Sequence, residues 1–221
     1  MVDNRNWVTR MKCFVGGIGG SGKTSLITAT ARLVDGCEVI HGSKLLFEAL
    51  GLSQGDYMAL RGIAAEVKEQ VFGRELQNRL ARQLAPGNHL LIDAHYLNFW
   101  GQESRRVVGP WIAAMDILVV LEVDAGVIAR RLEGDCGRSD RLVQDEGVGV
   151  SNQVSLEVIQ KRLTETRVEA GRLALKYGKP LIAIDNSYAL SSAVEVLSSE
   201  LRGVVKGGRV SNASGKLGSG P

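Results

Sequence analysis

The stretch Gly17-Ile18-Gly19-Gly20-Ser21-Gly22-Lys23-Thr24 satisfies every position of the pattern G-x-x-x-x-G-K-[ST]. Glycines at this spacing let the backbone curl until successive N–H groups point at one anion. A helix starting where the loop ends adds the partial positive charge of its N-terminus. Lys23 sets a cation against the outer phosphates of a nucleoside triphosphate, and Thr24 offers a hydroxyl to Mg²⁺. The chemistry implied is binding of ATP with Mg²⁺, by Gly17, Gly19, Gly20, Ser21, Gly22, Lys23, Thr24 and the adjoining Ser25.

Two further groups of residues extend that chemistry. Asp93 closes the apolar run Leu90–Asp93, the place of an acid that holds Mg²⁺, directly or through water, beside Thr24. His95 follows two residues later, and a contact to the acceptor, the positioning of a nucleophile and a structural role all stay open for it. Farther on, the segment 130–141 carries four arginines, Arg130, Arg131, Arg138 and Arg141, with glycines as hinges. Phosphoryl transfer spreads negative charge over the moving group. Arginines on a closing segment stabilise that charge and keep water out.

These residues need a scaffold, and the pattern around them supplies one. Short apolar runs at Cys13–Gly16, Glu38–Ile40, Leu90–Asp93, Ile117–Val123 and Leu181–Asp185 read as strands. Nearly unbroken apolar runs suit a sheet covered on both faces, hence parallel strands with helical crossovers. Ser25–Val34 reads as the helix after the loop. Helical spacing runs from Tyr57 to Leu84 through Leu60, Ala64, Val67 and Val71, then through Phe72, Leu76 and Leu80 with a one-residue shift. A second long helix is expected over 152–177, with Ile159, Leu163, Thr166, Ala170, Leu173 and Tyr177 on one stripe and Glu157, Lys161, Glu165 and Glu169 on a solvated face. Lys179-Pro180 ends it.

Composition excludes several alternatives. The chain has 221 residues, 44% hydrophobic and 23% charged, which fits one globular α/β domain over residues 1–202. Net charge is +3, too mild to indicate nucleic-acid binding by itself. Three cysteines, Cys13, Cys37 and Cys136, form no CxxC pair, so neither a disulfide framework nor a cysteine zinc site is expected and a reducing cytoplasm fits. No run reaches the ~20 apolar residues of a membrane span. The N-terminus has no apolar core of a secretory signal. Glycine is in excess at 27 residues, but five lie within 16–22 and six from Gly203 onward. Residues 203–221 read as a flexible tail. No guanine-reading NKxD segment is present, which sets aside a switch GTPase.

On GIGGSGKT, Leu60-Arg61, Gly73-Arg74, Ile92-Asp93-Ala94-His95, Ala129-Arg130-Arg131-Leu132 and Arg138 to Arg141, the chain over residues 10–202 resembles nucleoside monophosphate kinases, most closely the archaeal-type adenylate kinases. The resemblance implies a five-stranded parallel sheet of order 2-3-1-4-5, a helical acceptor arm over about 41–85 and a short lid over about 130–150. It implies that Arg61 and Arg74 grip the acceptor's phosphate. Arg130 or Arg131 would lie on or near the donor adenine, and Arg138 and Arg141 over the transferring group. The loop at Asp185-Asn186 would border the adenine. One departure stands out: after the second strand come Ile40-His41-Gly42-Ser43-Lys44, with Lys44 near the place of the family's acid. His41 and Lys44 therefore join the substrate-binding candidates.

The leading expectation is an ATP- and Mg²⁺-dependent kinase of a nucleoside monophosphate. A monophosphate is already a nucleophile and needs no base. The alternative is a kinase of an alcohol, on a metabolite, an antibiotic or a modified nucleobase, even one in DNA; an alcohol needs a base, for which Asp93 and His95 are the candidates. A third reading is a slow ATPase switch. The partners expected are a nucleotide or other small-molecule acceptor; an oligomer is compatible with the sequence.

Overall fold

The computed structural model describes residues 11–82, 88–100, 103–134 and 155–203. Five strands, β1 (Lys12–Gly16), β2 (Cys37–His41), β3 (His89–Ala94), β6 (Ile117–Glu122) and β7 (Leu181–Asp185), form one parallel sheet of order β2-β3-β1-β6-β7. Counted among these five alone, that is the expected order 2-3-1-4-5. The α/β class read from the apolar runs is therefore the observed one.

The two-residue repeat of each strand sorts its side chains between two cores. Cys13 and Val15 face α1 (Lys23–Leu33) and α7 (Leu190–Gly203), with Leu26, Ile27, Leu197 and Leu201. Phe14 faces the other way, toward α4 (Ala65–Arg82) and α6 (Leu156–Tyr177), with Phe72, Leu76, Trp111 and Leu173. All three of those β1 residues are 0% exposed. At roughly 1.5–3 kcal/mol for each large side chain removed from water, two-sided burial holds β1 at the centre.

The remaining elements are α2 (Gly42–Leu50), α3 (Tyr57–Gly62), α5 (Ala125–Glu133), a 3-10 turn at Pro110–Ala114, and an antiparallel hairpin of β4 (Leu97–Trp100) and β5 (Glu103–Arg106). Three of these observations correct the sequence reading. The helix expected over 57–84 is two helices. Asp56 caps the first through the Ala59 N–H, and Ile63 is extended at φ −77°, ψ 133°. Gly62, which fixes the backbone weakly, precedes the break. The hairpin was not foreseen, because every residue of β5 is exposed and the charged run hides its alternation. Glu169 does not face solvent: it is 4% exposed, held in a fork by Arg172 Nε at 2.7 Å and Nη2 at 2.6 Å, and bonded by Arg106 Nε at 3.3 Å. That carboxylate fastens the hairpin to α6. The start of the second long helix expected at 152 and the tail expected over 203–221 fall mostly outside the described residues, although α7 runs through Gly203.

Tyr96 and Trp111 belong to the core. The Tyr96 ring crosses the end of β1 against Phe14, its hydroxyl donating to the Val119 carbonyl at 3.0 Å. A Cβ at Gly16 would overlap this fixed ring. Gly16→Ala is accordingly expected to destabilise the chain by about 3 kcal/mol. Urea unfolding measures this; an unshifted midpoint would refute it. Among the described residues no helix is long and apolar enough to cross a membrane.

Candidate functional site

Because the strands are parallel, their C-terminal ends lie on one edge of the sheet, and the loops after them share that edge. β1 delivers the glycine loop there. β3 delivers Asp93, and β2 delivers His41, the register partner of Asp93. β7 delivers Asn186. α1 begins at Lys23 directly after the loop, with Gly22 at its N-cap in the left-handed region, φ +83°. Gly20 is also left-handed at φ +78°. Only glycine takes these angles readily.

The loop's polar groups are closely bonded. Ser21 is 0% exposed, and its hydroxyl donates to the Ile18 carbonyl at 2.8 Å. The Lys23 ammonium, on a residue 7% exposed, donates to the Gly17 and Ile18 carbonyls at 2.9 and 2.8 Å. His95 Nδ1 lies 2.8 Å from the same Gly17 carbonyl. A carbonyl only accepts, so Nδ1 carries the proton of that bond.

Asp93 is 8% exposed and joins two neighbours. Thr24 Oγ1 donates to Asp93 Oδ2 at 2.6 Å, and His41 Nδ1 lies 3.2 Å from the same oxygen. A hydroxyl and a carboxylate at that separation form a hard oxygen donor set. It fits Mg²⁺, which takes one or two protein oxygens and completes its shell with water and phosphate. The described residues contain no group of three or more acidic, histidine or cysteine side chains placed to hold a metal.

A cleft of about 810 Å³ opens over this edge. Of the candidate residues, Gly19, Gly20, Gly22, Lys23, Thr24, Ser25, Asp93, His95, Arg61 and Arg131 line it. Other candidates lie elsewhere. Arg74 is paired with its neighbour Glu75 at 3.1 Å on a side chain 65% exposed, and Lys44 faces Glu48 at 4.0 Å with 63% exposed. Neither lines the cleft, and neither does Arg130, which is exposed. Arg131 borders the cleft but is fastened to backbone: Nη2 donates to the Asn186 carbonyl at 2.8 Å, and Nη1 reaches the Ser21 carbonyl at 3.5 Å. Arg138 and Arg141 lie outside the described residues.

Three cations of the cleft escaped the sequence reading: Lys68, Arg105 and Arg162. Lys68 lies on α4, across the helix break from Arg61 on α3. Burial, with the Arg105 guanidinium beside it, pulls the Lys68 pKa below its usual value. Arg105 and Arg106 are adjacent on a strand, so they point to opposite faces. Arg106 meets Glu169 and Arg105 faces the cleft. Arg162 lies over the Phe99 ring at 5.4 Å. Among the described lining residues, the cations Lys23, Arg61, Lys68, Arg105, Arg131 and Arg162 outnumber the acids Glu69 and Asp93. Such a balance draws anions from solution.

Comparison with known proteins agrees with this architecture. A family profile described as AAA domain matches residues 16–147. No curated protein matches the chain in sequence. A gluconokinase from Sinorhizobium meliloti 1021 aligns with a TM-score of 0.50 at 16% identity, over 88% of this chain and 93% of that one. A shikimate kinase from Acinetobacter baumannii, in complex with shikimate, aligns with a TM-score of 0.58 at 15% identity, over 90% of this chain and 95% of that one. At these identities the likeness is one of fold.

Proposed function

The chain belongs to the AAA domain family, and from that premise we propose that it is an ATP-dependent kinase transferring the γ-phosphoryl group to a hydroxyl of a small anionic metabolite. The observation that carries the reading is the Thr24–Asp93 contact at 2.6 Å beside the glycine loop. It joins a Mg²⁺ donor set and a carboxylate base candidate at the floor of one cleft. Bound Mg²⁺ would neutralise the charge of the donor phosphates. The protein's own residues do the rest. Loop N–H groups and Lys23 hold the donor, Asp93 and His95 are the groups able to receive the proton of an alcohol, and the cleft walls exclude water.

The cations on the acceptor side support an anionic acceptor. Lys68 and Arg105 are close enough for one to depress the pKa of the other, and a carboxylate or phosphate between them would relieve that repulsion. The gluconokinase and the shikimate kinase share the fold on which this reading stands. Arg61 in the cleft favours a second reading, an adenylate-kinase-like nucleoside monophosphate acceptor. An acceptor screen separates the two. With ATP and Mg²⁺ constant, hydroxy acids, sugars and sugar acids, nucleosides and nucleoside monophosphates are tested for acceptor-dependent ADP release. Turnover with a hydroxy or sugar acid supports the first reading, turnover with monophosphates alone the second. ATP hydrolysis that no acceptor stimulates would sink both.

Arg61→Ala is expected to raise the acceptor KM about tenfold, the effect of one charge-assisted hydrogen bond, with the ATP KM little changed. An equal rise in both constants would move Arg61 out of the acceptor side.

A further inference from the structure

The loop after β7 reaches back to the phosphate-binding loop across 165 residues of sequence: Asn186 Nδ2 donates to the Ser21 carbonyl at 2.8 Å. The partner is a carbonyl, so the atom facing it is the amide nitrogen and not the oxygen. Asn186 is 2% exposed, and its Oδ1 has no hydrogen-bond partner among the described residues. The side chain is held there through its donor alone. Its own backbone is pinned on two sides, the N–H to the Glu122 carbonyl at 2.8 Å and the carbonyl to Arg131 Nη2 at 2.8 Å. The next residue completes the bracket: Ser187 N–H donates to Asp185 Oδ1 at 2.8 Å, and Ser187 Oγ accepts from the Asp124 N–H at 2.9 Å. Asp124 in turn caps α5.

A planar trans peptide fixes what this bond does. The carbonyl of Ser21 and the N–H of Gly22 belong to one peptide unit and point in opposite directions, and no peptide among the described residues is cis. Turning the Ser21 carbonyl toward Asn186 therefore turns the Gly22 N–H away from it. Gly22 lines the cleft. The packing permits no residue but glycine there: an added Cβ would stand 2.6 Å from Asn186 Nδ2, at a backbone φ of +83°. We infer that Asn186 is a positioning residue for phosphate binding, aiming the Gly22 N–H at the donor's phosphates, while Arg131 on α5 braces the same carbonyl. This rests on the phosphate-binding reading of residues 17–24 and adds to it a distant residue that touches no phosphate.

Calorimetric titration of the full chain with ADP, inorganic tripolyphosphate and adenosine tests the assignment. Asn186→Ala and Asn186→Asp are expected to weaken ADP and tripolyphosphate about tenfold and to leave adenosine unchanged. Asn186→Asp is nearly isosteric and sets a carboxylate oxygen against the Ser21 carbonyl, so it tests the donor rather than the volume. Unaltered ADP and tripolyphosphate affinity in both folded variants overturns the assignment, as does an equal loss for adenosine, which would place Asn186 on the base. A wild-type measurement covers the case in which the variants do not fold. Tripolyphosphate is expected to shift the Gly22 amide resonance downfield and to leave that of Gly51, outside the cleft, in place. A silent Gly22 amide among responding loop amides refutes the inference. Absence of any tripolyphosphate binding to the wild type refutes the phosphate-binding reading itself.

Discussion

Lys23→Ala is expected to lower kcat for phosphoryl transfer by about 10²–10³-fold, the scale of losing one preorganised donor from charge stabilisation in a transition state. The variant is also expected to fold, and the bonding around Lys23 shows why. Its ammonium donates to two carbonyls. Each keeps another partner when the side chain is cut back: the Gly17 carbonyl retains His95 Nδ1 at 2.8 Å, and the Ile18 carbonyl retains the Ser21 hydroxyl at 2.8 Å. Neither of these two carbonyls is orphaned, so neither incurs the usual penalty for an unsatisfied group. Coupled measurement of ADP release gives kcat, and circular dichroism with a thermal melt reports the fold. Wild-type turnover in a folded variant would remove Lys23 from the chemistry.

Asp93→Asn is the second large effect. The carboxylate accepts from Thr24 and contacts His41 through one and the same oxygen. Asparagine keeps the shape and removes the charge. If its oxygen stays toward Thr24 the hydrogen bond survives, but a neutral amide oxygen is a weak ligand for Mg²⁺ and a poor proton acceptor. A fall in kcat of about 10²-fold or more is expected, with a higher Mg²⁺ concentration needed for half-maximal rate. Steady-state rates across a Mg²⁺ titration check both. A kcat loss with unchanged Mg²⁺ dependence would assign Asp93 to the proton and not to the metal.

What the sequence disclosed follows from how local each signal is. The glycine loop was legible because phosphate binding by backbone needs glycine at fixed spacing within eight residues. The sheet was legible because β1, β3 and β6 are buried on both faces and cannot tolerate polar interruptions. Asp93 was legible from its place at the end of such a run. Arg61 followed from the family resemblance, while its neighbours in the cleft, Lys68, Arg105 and Arg162, did not. Their common property is a position on three different elements, and nothing in the spacing of α4, β5 and α6 says that these faces converge. Glu169 looked like one more charge on a helix surface until the hairpin, itself hidden by an all-polar strand, brought Arg106 to it. Arg74 shows the opposite case. It lies in the expected arm, but the break between α3 and α4 sets the helical phase anew, and Arg74 points to solvent beside Glu75.

The bond between Ser21 and Asn186 also bears on the order in which the molecule can be assembled. A loop of eight residues would ordinarily count as local structure, ready soon after synthesis. Here its shape depends on a partner 165 residues away, and β1 beneath it depends on pairing with β3 and β6 on either side. Contacts so distant in sequence form slowly, because chain closure must precede any gain from them. On the ribosome, the glycine loop is made 165 residues ahead of the side chain that bonds its Ser21 carbonyl. A nascent chain that ends before residue 186 carries every residue of the phosphate-binding signature without the geometry that makes it one.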